Sequence, residues 1–263
     1  MNSNTIKNKD IISNDQILSI INNHIIDKIP GSFIRKGDGE NIIIGYNKIK
    51  DVKFKDYKRM LRIMNIRFLN FEFQKFVKKA LIEAFNNCNV MGISREDQRY
   101  KFWAIEDQIL EILDFKSQIF CDMNFHMEFI KYPNNNSLEN ELAKKIISNK
   151  KIGIISCYDV SDFLKQHNTV VEKWIYLPKE KRKKLFNKKI GIELYKKVNQ
   201  IIENSVVDYW IVAAGIHAKI FCEQIKSNNG IAIDIGSSID TWKDIYHSRE
   251  HLKKIHKNKI LTN

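Results

Sequence analysis

The sequence predicts an α/β protein in which helices cover both faces of a mostly parallel sheet. Short apolar runs alternate with helix-patterned stretches along most of the chain, and parallel strands need such crossover helices. The runs of the second half, KIGIIS, DYWIVAA and IAIDI, are almost continuously apolar, the pattern of strands buried on both faces. A length of 263 residues suits one large α/β unit, and a chain of that size buries roughly 70 to 75% of the surface it would expose unfolded.

The elements follow in order. Ser13 with Gln16 three residues on makes a capping box, and Ile17, Ile20, Ile21, Ile25 and Ile26 recur at helical spacing until Pro30. Residues 1–30 are therefore an N-terminal helical segment packing on the core. Residues 32–35 are a short extended piece that enters the glycine-punctuated turn Gly37-Asp38-Gly39-Glu40. The apolar residues after Glu40 fit a buried helix or a strand, and periodicity does not choose between them. Residues 68–85 are helical, 89–93 a strand, and 103–115 and 138–147 helical again. Residues 151–156 and 169–177 are strands, 190–202 a helix, 208–214 a strand, 216–225 a helix and 231–235 a strand. No repeat or long linker divides residues 31–246, the main domain, and residues 247–263 form a basic C-terminal tail.

Composition excludes several classes. With 43% hydrophobic residues and 11% aromatics the chain is not disordered, and 10 Gly with 3 Pro rule out collagen-like and linker sequences. The cysteines, Cys88, Cys121, Cys157 and Cys222, form no C-x-x-C pair and have no histidine at zinc spacing, so buried reduced thiols are expected. The segment MNSNTIKNKD lacks the apolar stretch of a signal peptide, and no apolar run nears the ~20 residues of a membrane span. A reducing cytoplasm is the expected compartment. Lys and Arg number 44 against 31 Asp and Glu, a formal +13, concentrated in two runs at 179–189 (KEKRKKLFNKK) and 249–259 (REHLKKIHKNK). Such runs are solvated faces or contacts with an anionic partner, including the inner face of a membrane.

In an open parallel sheet, ligands bind beyond the carboxyl ends of the strands. Three segments of this sequence follow strands and carry chemistry. The first is Arg35-Lys36-Gly37-Asp38-Gly39-Glu40, whose two carboxylates can face one hard cation, Mn²⁺ or Mg²⁺, with Arg35 a phosphate partner; the plain alternative is a surface turn capping a helix. The second is AAGIHAK, where Gly215 opens a helix whose free N–H groups suit a phosphate, with His217 and Lys219 beside it; an ordinary tight turn is the alternative. The third is DIGSSIDTW. Here Asp234 can hold a ribose or sugar hydroxyl, Gly236 and Ser237 supply backbone and hydroxyl donors, and Asp240 and Trp242 lie one turn on, Trp242 as a stacking platform. Asp159, after a fourth strand, fits a helix cap.

In combination these segments resemble the GT-D fold glycosyltransferases. FIRKGDGE is similar to that family's R-x-G-D-G-E segment with its D-x-E motif, and AIDIGSSID to a later A-x-D-I-G followed by Asp, with IVAAGIHAKIF between them in the same order. The resemblance covers roughly residues 30 to 245. It implies a Rossmann-like domain that transfers a sugar from a nucleotide sugar, typically a UDP-sugar, with Mn²⁺ or Mg²⁺ held by Asp38 and Glu40 at the diphosphate. It further implies a phosphate or structural role for Arg35, close approach at Gly215, and an opposite wall made by Asp234, Gly236 and Asp240. The acceptor would be a glycan, glycoprotein or lipid-linked sugar in surface polysaccharide or glycan biosynthesis. Asp240, His217 and Asp234, in that order, are candidates for the base that takes the acceptor proton. Ala218 and His217 depart from the pattern of some members, which leaves the nucleotide and sugar open.

Two other classes compete. A basic nucleic-acid-binding module would explain the +13, although the aromatics do not interleave with the basic residues as a stacking surface requires. Another nucleotide-using enzyme, a phosphatase or kinase, can occupy a similar sheet.

Overall fold

The structure, a computed structural model, describes residues 11–95, 104–113, 119–133, 137–178 and 191–260. The lysine-rich run 179–189 lies outside the described residues.

The chain opens with a two-residue strand, β1 (Ile11–Ile12), and helix α1 (Asn14–Asp27). The capping box is present: Gln16 N–H donates to Ser13 Oγ and Ser13 N–H to Gln16 Oε1. Ile17, Leu18, Ile21 and Ile25 of α1 are buried, whereas Ile26 is 58% exposed, so the buried stripe is narrower than the isoleucine pattern alone indicates.

Strand β2 (Gly31–Arg35) leads directly into α2 (Asp38–Gly45), which decides the open question after Glu40 in favour of a buried helix. Helices α3 (Phe54–Ile63) and α4 (Phe71–Asn87) follow, then β3 (Val90–Ile93), α5 (Glu106–Ile112) and β4 (Ile119–Asp122). A 3-10 turn (Phe125–Phe129) and α6 (Glu141–Ile147) precede β5 (Lys151–Ser156), α7 (Ser161–Lys165) and β6 (Val170–Tyr176). The last part runs α8 (Ile192–Glu203), β7 (Tyr209–Ala213), α9 (His217–Ser227), β8 (Ile231–Asp234), α10 (Ser238–Thr241) and α11 (Glu250–Ile260).

All strand pairings are parallel, in an 8-stranded sheet of order β1-β4-β3-β2-β8-β7-β5-β6. From β2 the chain builds outward through β3 and β4 on one side and returns through β5 to β8 on the other. The connections leaving β5 and β7 run in opposite directions, β5 outward to β6 and β7 inward to β8, so their carboxyl-end loops diverge and open a crevice. Two buried clusters coat the sheet. One contains side chains of α2, α3, α4, α5, α8 and α9, the other side chains of α1, α6, α7 and the 3-10 turn. Cys88, Cys121 and Cys222 are buried free thiols as expected, whereas Cys157 is a free thiol only partly buried, and burial pushes the Cys88 thiol up to about 12.

Candidate functional site

Each segment singled out in the sequence follows one of four adjacent strands, β2, β8, β7 and β5. Register aligns their carboxyl ends: Phe33 pairs with Ile233, Val212 with Asp234, and Ser156 with Ala213. Beyond these ends lies a cavity of about 330 Å³ whose lining includes Arg35, Tyr158, Gly215, Gly236, Ser237 and Asp240.

A buried charge cluster adjoins Arg35, one of the lining residues. Lys219 Nζ sits 2.8 Å from Glu40 Oε1 and 2.8 Å from Asp234 Oδ2, and all three side chains are nearly free of solvent. Arg35 Nε approaches Asp234 Oδ2 to 3.9 Å. Two cations and two carboxylates thus give a neutral quartet, which is what a low-dielectric interior requires. Burial opposes ionisation of Glu40, but the Lys219 ammonium outweighs it and holds the carboxyl below its usual range. Burial likewise works against the Lys219 ammonium, and Asp234 and Glu40 outweigh it to raise its pKa.

Behind the cluster, Lys36 Nζ contacts Glu106 Oε1 at 2.6 Å and Asn41 Oδ1 at 2.8 Å, and Asn41 Nδ2 donates to Glu106 Oε2 at 2.8 Å. These side chains are buried, and they tie the 36–41 turn to α5. No motif flagged this network, because Glu106 lies far from the turn in sequence.

The predicted residues divide by environment. Gly215 and Gly236 adopt φ of 57° and 48°, left-handed backbone that glycine reaches without strain. At Gly236 a Cβ would also lie 2.8 Å from the Arg35 guanidinium carbon, so the glycine makes room for that side chain. Gly37 packs against the Glu40 carboxylate and Gly39 against Ile216. Asp38, in the first turn of α2, is an exposed residue; desolvation of its carboxyl and the Glu40 charge raise its pKa, while Arg59 and Arg249 pull it down. Asp240 lines the cavity and is 9% exposed.

His217 also lines the cavity, but both ring nitrogens are engaged. Nε2 lies 3.0 Å from the Met64 carbonyl, which only accepts, so Nε2 carries the proton and Nδ1 accepts from the Tyr195 hydroxyl. Asp234 is similarly occupied, since Oδ1 accepts from Gly236 N–H at 3.0 Å and Oδ2 faces Lys219. Trp242 is 3% exposed, donates Nε1–H to Phe129 O at 2.8 Å and stacks on Phe163. The expectation of a ligand platform there is corrected: the indole is a core residue. Asp159 accepts from Ser161 N–H at 3.0 Å in a local turn, but the N-cap of α7 is Val160, so the cap expected of Asp159 is corrected.

His126, which sequence reasoning passed over, is buried beside Arg35. Arg35 Nη1 lies 2.9 Å from its Nε2 and 3.0 Å from its Nδ1, and Nδ1 is also 3.2 Å from Met123 O. Burial first, and Arg35 second, push its pKa well below the ordinary histidine range. Below about pH 6.5 the unfolded chain binds a proton there that the native state refuses, so stability falls as pH falls. Lowering the pH from 8 to 5.5 is therefore expected to destabilise the fold through this residue. Chemical denaturation at both pH values should show that loss, and His126→Gln should remove it; an unchanged slope in the variant would place the titration elsewhere.

Fold and site together define an α/β protein with a cavity beyond the carboxyl ends of a parallel sheet. A family model for a GT-D fold-like domain matches residues 12–242, and the chain belongs to this GT-D-like family. A search of curated proteins gives no match. Among solved structures, one of domain of unknown function 1792, described as having a distinct glycosyltransferase fold, aligns with a TM-score of 0.58 at 14% identity over 90% of this chain and 80% of that chain. A selenomethionine-substituted structure of the same domain aligns with a TM-score of 0.54 at 13% identity over the same shares. Among the described residues no helix is long and apolar enough to cross a membrane.

Proposed function

We propose that the protein is a metal-assisted glycosyltransferase that moves a sugar from a nucleotide sugar, a UDP-sugar first among donors, to a glycan, glycoprotein or lipid-linked acceptor. The observation that carries this reading is the cavity beyond the carboxyl ends of β2, β8, β7 and β5, with Arg35 in its lining, in a chain of the GT-D-like family. A diphosphate laid there meets Arg35 and the start of α9, where N–H groups lack helical partners. We assign the protein to the cytoplasm, working on acceptors presented there or at the inner face of a membrane.

The carboxylates fit Mn²⁺ or Mg²⁺ only in part. Asp38 is exposed, and such cations are commonly held by one or two carboxylates plus substrate phosphates. Glu40 is bound to Lys219, so we read it as the residue that holds the ammonium. When bound, the cation supplies charge neutralisation for the departing diphosphate. Arg35 positions the same diphosphate from the protein side. For the acceptor, Asp240, a carboxylate in the lining of the cavity, is the base we favour among the three candidates. It takes the hydroxyl proton as the acceptor oxygen bonds to the anomeric carbon and the bond to the diphosphate breaks.

A thermal-shift panel of UDP, GDP, ADP and CDP with and without Mn²⁺ tests donor recognition. One nucleoside diphosphate at 100 times its Kd should stabilise the fold by about 2.7 kcal/mol, and the shift should depend on the metal. No shift with any of the four would remove the reading.

A further inference from the structure

The stretch just past the family-matched residues forms part of the cavity wall. It is pinned at both ends: Asp244 pairs with Lys131 at 2.7 Å, the Tyr246 hydroxyl donates to Lys131 O at 2.9 Å, and Leu252 is fully buried. Between these anchors Ser248 and Arg249 line the cavity, and His251 Nε2 lies 3.2 Å from Ser237 Oγ on the opposite wall. The position of this stretch is thus set by contacts with residues far away in sequence, and it faces the same space as Arg35.

Two polar atoms of this wall have lost water without gaining a hydrogen bond. Ser248 Oγ and Arg35 Nε are both buried and without hydrogen-bond partners. Native structures rarely leave such groups unpaired, and a ligand is one of the few things that can complete them. Both are donors, and the neighbouring Arg249 is a guanidinium, so the complementary ligand is acceptor-rich and anionic; a phosphate group has that chemistry. Asp38 and Asp240 are the carboxylates of this neighbourhood, Asp38 within electrostatic reach of Arg249 and Asp240 in the lining. They do not cancel the attraction for a diphosphate that arrives with a divalent cation.

We propose that Ser248 and Arg249, contributed from beyond the family-matched domain, form with Arg35 the phosphate-reading wall of the donor site. This rests on the donor reading above and adds residues to it. It also gives part of the basic C-terminal segment a use inside the protein, where the charge pattern alone pointed to a membrane or other anionic partner.

The test is calorimetric titration of the full chain with the tightest binder of UDP, GDP, ADP and CDP, and with its parent nucleoside. Arg249→Met should weaken the diphosphate by about tenfold or more, the scale of a lost charge-assisted hydrogen bond, while the nucleoside changes less than about twofold. Arg249→Lys should recover part of the loss by restoring charge without the planar fork, and Ser248→Ala should cost about threefold on the diphosphate alone. Should Arg249→Met fail to fold, the Arg249→Lys and Ser248→Ala comparison decides alone. Unchanged diphosphate affinity in these variants, or equal weakening of diphosphate and nucleoside, overturns the proposal while leaving donor binding intact. A wild-type protein that binds none of the four diphosphates overturns the donor reading and this inference together.

Discussion

Replacing Lys219 with methionine is expected to lower the melting temperature by roughly 6 to 20 °C. The substitution keeps the stem that packs in the interior but removes the ammonium that lies 2.8 Å from both Glu40 and Asp234. Two carboxylates are then left buried against each other with only Arg35 nearby, at 3.9 Å from Asp234. Breaking a buried ion pair by removing one partner costs about 3–5 kcal/mol, because the remaining charge is neither solvated nor compensated. For a chain of this size each kcal/mol corresponds to about 2–4 °C. Lys253→Met is the matched control, since its partner Glu250 lies 3.2 Å away on the surface and both side chains are well exposed. An exposed pair is worth at most about 1 kcal/mol. Calorimetric melts of the two variants should differ widely; a Lys219→Met loss as small as that of Lys253→Met would mean that the buried quartet does not hold the fold together.

The second large effect separates the two carboxylates of the D-x-E segment. Asp38→Asn is expected to abolish the Mn²⁺-dependent part of nucleoside diphosphate binding while leaving the melting temperature within a few degrees. The residue is exposed overall, and the pKa of its carboxyl is raised, first by desolvation and then by Glu40, so its charge is not a source of stability. Glu40→Gln is expected to do the reverse. It removes one of the two charges on Lys219 and destabilises the fold, but Mn²⁺ affinity in the presence of the diphosphate should stay within about threefold, a change of only ~0.7 kcal/mol. The destabilisation should also shrink at low pH, because a carboxyl whose pKa is depressed in the folded state contributes stability that disappears as pH falls through that pKa. Mn²⁺ titration followed by its paramagnetic signal, with melts on the same samples, measures both. Equal loss of Mn²⁺ binding in the two variants would return Glu40 to the role of metal ligand.

The sheet was legible because its central strands are apolar throughout and its helices are punctuated. Strands β5, β7 and β8 declare themselves as KIGIIS, DYWIVAA and IAIDI, and the Ser13 capping box marks the first helix. Strands β1 and β4 were not legible, since one has two residues and the other begins with a partly exposed isoleucine. Helix α3 carried a usable signal, with Tyr57, Met60 and Leu61 at i, i+3 and i+4 and a polar remainder, and it marks a place where the periodicity should have been read.

In the site, glycine and carboxylate placement after strands located the cleft, because the carboxyl ends of neighbouring parallel strands must meet. What sequence could not supply is pairing at long range. Nothing local says that Lys219 bridges Glu40 and Asp234, that Tyr195 occupies the second nitrogen of His217, or that Arg249 turns inward from a basic tail. Trp242 shows the same limit in the opposite direction: an aromatic beyond a ligand loop reads as a platform until Phe163 and the Phe129 carbonyl are seen to hold it.

The central claim is sugar transfer in the cavity beyond the carboxyl ends of β2, β8, β7 and β5, and product analysis measures it most directly. Wild-type protein with Mn²⁺ is incubated with a panel of nucleotide sugars, with and without lipid-linked and soluble saccharide acceptors, and products are separated and weighed by mass spectrometry. The expected result is one acceptor gaining one sugar mass for each nucleoside diphosphate released, slow release without acceptor, and loss of both in Asp38→Asn and Asp240→Asn. Cleavage that yields a sugar phosphate or inorganic phosphate, or no cleavage of any donor, would contradict the account.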